Sequence, residues 1–247
     1  MRASIRPTRR LDRSRLWQVD ALRGVAILMM VIYHFVWDLR GLGGYDIAVY
    51  TGFWHYFQQA TASLFIGLVG VSLTLSRRQA GPAAGWGRYL RRGAIIFSWG
   101  VVVGLVTFAF DPPRYVRFGI LHLIGATIVL AYPFLGWRWR ALGLGLLLLF
   151  LGQVFPRLGW HLPWLDWLGL DSTPRAAFDY FPLIPWFGVA LIGIFLGNSF
   201  AGQRPAAGET RGPLPWLRLL GQNSLLIYLI HQPILITLLI LAGIVRL

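Results

Sequence analysis

The sequence predicts an all-α, polytopic transmembrane helix bundle of about seven spans with its N-terminus in the cytoplasm. Three observations predict it. Hydrophobic residues make up 56% of the 247-residue chain and charged residues only 13%, where a soluble domain has roughly 25% charged. The apolar residues come in runs of about 15–25, close to the length that crosses a hydrocarbon core of about 30 Å. The arginines collect in alternate segments between those runs, as the positive-inside rule expects of cytoplasmic loops.

Residues 1–16 carry Arg2, Arg6, Arg9, Arg10, Arg13 and Arg15 without periodicity and read as a disordered, basic cytoplasmic arm. Residues 17–247 read as a single helix bundle. Span one runs from Leu16–Trp17 to Asp38 and is taken as retained, because no small-x-small cleavage pattern follows it. A short, nearly neutral loop (39–51) leads to span two, about Gly52–Leu75. Segment 76–92 is strongly basic (Arg77, Arg78, Arg88, Arg91, Arg92) and reads as cytoplasmic. Span three is about Gly93–Phe110, ended by Asp111-Pro112-Pro113. Span four is about Phe118–Leu135, bordered by Trp137-Arg138-Trp139-Arg140, and span five is about Ala141–Phe155. The tryptophans of 156–182 (Trp160, Trp164, Trp167) place that segment at the membrane surface. Span six is about Leu183–Phe200. A Gly/Pro/Arg loop (202–215) and a short amphipathic piece, Trp216–Leu220, precede span seven, about Gln222–Val245.

Composition removes several chemistries. The chain has no cysteine, so disulfides, thiolate nucleophiles and thiolate metal sites are excluded. It has no lysine, which excludes Schiff-base chemistry. The net charge of +14 therefore comes wholly from arginine. Its distribution points to anionic lipid and membrane topology rather than nucleic acid.

Span one carries the unusual groups. At about 100° per residue, Asp20, Arg23, Ile27, His34 and Asp38 fall within an arc of roughly 60° on one face. Ionisable groups inside a bilayer are costly and normally face a bundle interior or a wet cavity. Depth along the helix puts Arg23 near the inner face and His34 roughly 16 Å further out. His55 and His122 begin spans two and four from the outer side, and His231 sits mid-span in span seven beside Tyr228 and Gln232. The pattern is a polar seam, arginine inside and imidazole outside. His34 suits a general base. Asp38, one turn on, suits a group that orients the ring or stabilises its imidazolium, or an ordinary helix-surface partner. Asp20 and Arg23 suit an intrahelical pair or an anion anchor. Trp186 beside Pro185 suits a substrate slot or a kink. A metal site is not expected, because no His-x-x-x-His or Glu-x-x-His pairing occurs. Gly67, Gly70, Gly188, Gly193 and Gly197 have the spacing of close helix packing and would permit a homodimer. Two other functions stay open on these residues: a proton-coupled transporter with a His34–His231 relay, and a scaffold presenting a basic face to lipid.

The stretch Asp20-x-x-Arg23-Gly24 followed by His34 resembles the first-helix signature of the transmembrane acyltransferase superfamily. Three further stretches are similar to bacterial relatives of heparan-α-glucosaminide N-acetyltransferase. They are Phe118-Gly119-Ile120-Leu121-His122-Leu123-Ile124-Gly125, Tyr180-Phe181-Pro182-Leu183-Ile184-Pro185-Trp186-Phe187-Gly188, and Ser224-Leu225-Leu226-Ile227-Tyr228-Leu229-Ile230-His231-Gln232-Pro233. The resemblance covers nearly the whole chain. It implies an enzyme of the bacterial cytoplasmic (inner) membrane that moves an acetyl group from cytoplasmic acetyl-CoA to a sugar amine or hydroxyl on the outer side. It implies Arg23 on the CoA side, with Asp20, Arg77, Arg78, Arg91 and Arg92 as further donor contacts. It implies His34 as base or transient acyl carrier, and makes His55, near the start of span two, the rival base. His122, Trp186, Tyr228, His231 and Gln232 would line the acceptor side or the seam.

Overall fold

The computed structural model describes residues 16–81, 85–173, 176–200 and 214–245. The basic arm and most of the 202–215 loop lie outside these. Eight α-helices and three short 3-10 turns form the described residues, with no strand among them. The helices are α1 (Trp17–Gly41), α2 (Gly52–Ala80), α3 (Trp86–Phe110), α4 (Ile120–Leu130), α5 (Trp139–Val154), α6 (Leu183–Phe200), α7 (Pro215–Gln222) and α8 (Ser224–Leu241). Two compact units divide the chain: Met1–Ile47 with Arg204–Leu247, and Ala48–Gln203.

In the first unit α1 packs on α7 and α8. Two glycines set the α1–α7 distance. A Cβ on Gly24 would overlap the Leu217 carbonyl, and one on Gly221 would overlap the Asp20 carbonyl. With only hydrogen at both positions the two backbones touch, as small residues allow between membrane helices. Asn223 breaks the chain between α7 and α8, its N–H bonded to the Leu219 and Leu220 carbonyls at 3.2 Å. After α1, Arg40 Nη1 donates to the Ile47 carbonyl at 2.5 Å and closes the following loop.

In the second unit the same device recurs. Gly70 on α2 faces the Ala190 carbonyl of α6, and Gly193 on α6 faces the Gly67 carbonyl of α2. Gly188 and Gly145 face each other's carbonyls across α5 and α6. The glycine stripe read as close packing is thus used inside the chain. On α3, Gly93, Gly100 and Gly104 let α4 and the segment before it lie close.

Among the described residues six helices are long and apolar enough to cross a membrane, against about seven expected. The fourth span is the shortfall. Its helix covers 11 residues, Ile120–Leu130, and then tightens into a 3-10 turn at Tyr132–Phe134. Pro133 lacks the N–H that a continuing α-helix needs. At the other end Asp179 takes the Ile120 N–H at 2.8 Å and starts the helix there. Yet the segment runs between both ends of α6. Phe181 N–H bonds the Phe118 carbonyl at 2.9 Å just before α6 begins. Near the end of α6, Asn198 Nδ2 donates to the carbonyls of Leu135 (3.1 Å) and Trp137 (2.8 Å).

A second departure concerns the basic segment 76–92. Arg77 and Arg78 continue α2, and Arg88, Arg91 and Arg92 belong to α3. Arginine is a good helix former and carries its charge on a long stem, so the helices run past the apolar core.

Candidate functional site

The polar face of α1 meets polar residues of α7 and α8 at two levels. At the first, Asp20 is buried, 4% exposed. Its Oδ1 lies 3.4 Å from Arg23 Nη1 and its Oδ2 accepts from Gln222 Nε2 at 3.1 Å. The close α1–α7 crossing at Gly24 and Gly221 brings Gln222 within reach. The carboxylate holds the guanidinium from one side, the arrangement expected of an anion anchor.

At the second level, three turns along, His34 and Asp38 of α1 meet His231 and Gln232 of α8. The two imidazole rings have centroids 4.8 Å apart and stand at 72°. Tyr33 and Tyr228 flank them edge-on or tilted, at 5.9 and 5.6 Å. His34 Nδ1 lies 3.0 Å from the Met30 carbonyl, and His231 Nδ1 lies 2.6 Å from the Tyr228 carbonyl. A carbonyl only accepts, so in each neutral ring Nδ1 carries the proton and Nε2 the lone pair. Asp38 is fully buried, and its Oδ1 accepts from Gln232 Nε2 at 2.6 Å.

The expected role of Asp38 as orienter of His34 is not what the structure shows. A helical side chain leans toward the N-terminus of its helix. His34 therefore leans away from Asp38 and onto Met30, and its own backbone orients the ring. Asp38 instead ties α1 to α8 through Gln232.

What remains unbonded defines the site. Asp38 Oδ2, His231 Nε2 and Gln232 Oε1 are buried with no hydrogen-bond partner among the described residues. Buried polar atoms are nearly always bonded, so such a concentration in one spot needs an explanation. All three are acceptors here, and His34 Nε2 adds a fourth. These four acceptor atoms can take protons or hydrogen-bond donors. Among the described residues no group of three or more His, Cys, Asp or Glu is arranged to hold a metal ion.

The remaining candidates lie in the second unit. His55 is exposed in the first turn of α2, edge-on to Tyr56 at 5.5 Å. His122 is buried at the start of α4, and its Nδ1 accepts from the Gly119 N–H at 3.2 Å. It packs against Phe97 and Phe118, so it caps a helix. Trp186 is buried against Phe181 at 4.9 Å. Arg77 donates to the Tyr132 carbonyl at 3.2 Å, and Arg78 donates to the Asn198 side-chain oxygen at 3.1 Å. Both fasten the end of α2 to its own unit, while Arg91 and Arg92 are exposed on α3.

Sequence reasoning missed Gln222 as the second support of Asp20 and the two carbonyls that set the imidazole tautomers. The carbonyls were legible in principle, because both histidines sit mid-helix with a carbonyl three or four residues back. Gln222 is 202 residues from Asp20, and the sequence hint was the pair Gly24 and Gly221.

A family model described as heparan-alpha-glucosaminide N-acetyltransferase, catalytic, matches residues 15–233. No curated protein and no solved structure matches the chain.

Proposed function

From the premise that this chain belongs to the heparan-α-glucosaminide N-acetyltransferase catalytic family, we propose that it carries acetyl from acetyl-CoA, bound at the cytoplasmic face, to a sugar amine or hydroxyl at the outer face. Membership makes it a membrane acetyltransferase in general terms. Donor, sidedness, inner-membrane location and acceptor belong to the proposal.

The observation that carries it is the set of unpartnered acceptor atoms beside His34: Asp38 Oδ2, His231 Nε2 and Gln232 Oε1. Acetyl transfer needs a base at the point where the acceptor's N–H or O–H attacks the thioester carbonyl. His34 Nε2 has its lone pair free for that proton, because Met30 holds the other ring nitrogen. The acceptor's nitrogen or oxygen bonds to the acetyl carbon as the carbon–sulfur bond breaks. The proton passes to His34 and then to the departing CoA sulfur. The anionic end of CoA suits Arg23, which bonds to Asp20 on the same helix, Asp20 being braced in turn by Gln222 of α7. The roughly 16 Å between Arg23 and His34 is bridged by the donor's flexible pantetheine arm.

The test is acetyl-CoA binding and hydrolysis by detergent-purified protein. Losing a charge-assisted contact is worth about 1.5–3 kcal/mol, so Arg23→Ala is expected to weaken binding by about 10- to 100-fold. His34→Ala is expected to bind normally and to lose turnover by about 10²- to 10⁴-fold. His55→Ala should retain turnover. Equal loss of binding in the Arg23 and His34 variants defeats this division of roles. Substrate flux in proteoliposomes without acyl-CoA consumption would support the transporter instead.

A further inference from the structure

We propose that Asp38 and Gln232 determine which acceptor is used: they bind a second N–H or O–H that stands beside the group being acetylated. This rests on the acyl-transfer reading of the same site. The α1–α8 contact has two rungs, one helical turn apart. His34 and His231 form the first, with ring centroids 4.8 Å apart. Asp38 and Gln232 form the second, Gln232 Nε2 donating to Asp38 Oδ1 at 2.6 Å. That bond ties the helices and uses half of each group. The other half of each, Asp38 Oδ2 and Gln232 Oε1, is a buried acceptor with no hydrogen-bond partner among the described residues. Asp38 is fully buried, while His34 and Gln232 are half-buried, so part of each rung reaches the surface of its unit.

A tie between two helices explains one oxygen and one nitrogen, and leaves the rest of both groups unused. A carboxylate has about four acceptor positions, and an amide oxygen has two lone pairs. Unsatisfied buried polar atoms are rare, and a ligand that carries donors removes the cost of leaving these two bare. The spacing of the rungs says what such a ligand looks like. Four residues separate His34 from Asp38, a rise of about 6 Å. An amine or hydroxyl at His34 Nε2 and a neighbouring hydroxyl at the second rung span that gap with one hydrogen bond of about 2.9 Å each. The favoured acceptors are therefore vicinal amino alcohols and diols, the arrangement found along a sugar ring. An acceptor that lacks the second donor leaves the oxygens of the second rung bare and is rejected for that reason.

The probes are trans-2-aminocyclohexanol, trans-2-methoxycyclohexylamine and cyclohexylamine, offered to the full-length, detergent-purified protein. The ether is close to the amino alcohol in basicity, cyclohexylamine does not exceed it in size, and both lack the O–H donor. Binding measured by saturation-transfer NMR needs no turnover. The amino alcohol is expected to bind about ten-fold or more tightly than either control, and with acetyl-CoA present to show a KM lower by a similar factor. Asp38→Asn keeps the shape and can still accept from Gln232, while an NH₂ takes the place of Oδ2. In this variant the preference should shrink to about two-fold or less. A side chain that only ties the helices would change stability and leave the preference alone. Gln232→Met, which keeps the length and removes Oε1, should narrow the preference too. Equal handling of the three probes by the wild type overturns the proposal, as does a preference that survives in folded Asp38→Asn. Acetyl transfer without the preference overturns it as well and leaves the acyl-transfer reading standing. An Asp38-dependent preference in a protein that does not turn over acetyl-CoA keeps the second rung as a binding element and sinks acyl transfer instead. Neither binding nor turnover with any probe defeats both.

Discussion

Asp38 and Gln232 show how much one hydrogen bond decides when water is absent. Asp38 is fully buried, and Gln232 Nε2 donates to its Oδ1 at 2.6 Å. Gln232→Leu would leave both carboxyl oxygens unbonded. The expected loss of stability is about 1–3 kcal/mol, the desolvation penalty of an orphaned buried group. Removing both partners should cost less, because neither is then stranded. Unfolding of Gln232→Leu and of the Asp38→Leu, Gln232→Leu double variant in detergent would show this. A double variant less stable than the single one would mean the pair's contact is not what fixes the cost. At this scale the sequence was informative about which residues are unusual and silent about which partners they take. The arc of Asp20, Arg23, His34 and Asp38 is a matter of helical geometry on one element, and the structure keeps it. Gln232 lies 194 residues from Asp38. No periodicity within one helix selects it over Asn223 or Ser224, because choosing a partner requires the packing of α8 on α1.

The helices meet through glycine, and the contacts differ enough to be told apart by experiment. A Cβ on Gly70 would overlap the Ala190 carbonyl, whereas one on Gly67 would find Val189 Cγ1 no nearer than 4.0 Å. Gly70→Ala must push α2 away from α6 and should cost about 1–3 kcal/mol. Gly67→Ala has room and removes a flexible residue from a helix, so it should be neutral or stabilise by up to about 1 kcal/mol. Thermal unfolding of the two variants in one detergent tests the contrast. Similar losses in both would show that α2 and α6 do not pack this way. The spacing of these glycines was legible as close packing, and the spans were legible as apolar runs. The shortness of α4 was not. Residues 118–135 are apolar but for His122 and Thr127, and what ends the helix early is a proline at one end and an aspartate 59 residues away at the other. Hydropathy counts apolar residues and does not detect where backbone bonding stops.

The short fourth helix decides how the whole chain threads the membrane. If α4 crosses, Arg138 and Arg140 fall on the side of Arg77 and Arg78. If it does not, both fall on the opposite side, against the positive-inside tendency. The hydrogen bonds favour crossing. Arg77, at the end of α2, donates to the Tyr132 carbonyl just beyond α4, and the other end of α4 is tied to Asp179 before α6. Of the arginines this leaves outside, two are occupied locally: Arg114 bonds to Asp111 and Arg117 lies over the Tyr115 ring at 5.2 Å. A chain without cysteine is a ready background for single-cysteine labelling. With the N-terminus inside, Gly87→Cys and Gly136→Cys should react with a membrane-impermeant maleimide only in inside-out vesicles. Thr51→Cys and Leu158→Cys should react only in right-side-out ones. All four positions are exposed. Exchange of the Gly136 and Leu158 patterns alone would show that α4 turns back, leaving six crossings. Exchange of all four would reverse the protein and move Arg23 to the outer face, where cytoplasmic acetyl-CoA does not reach it.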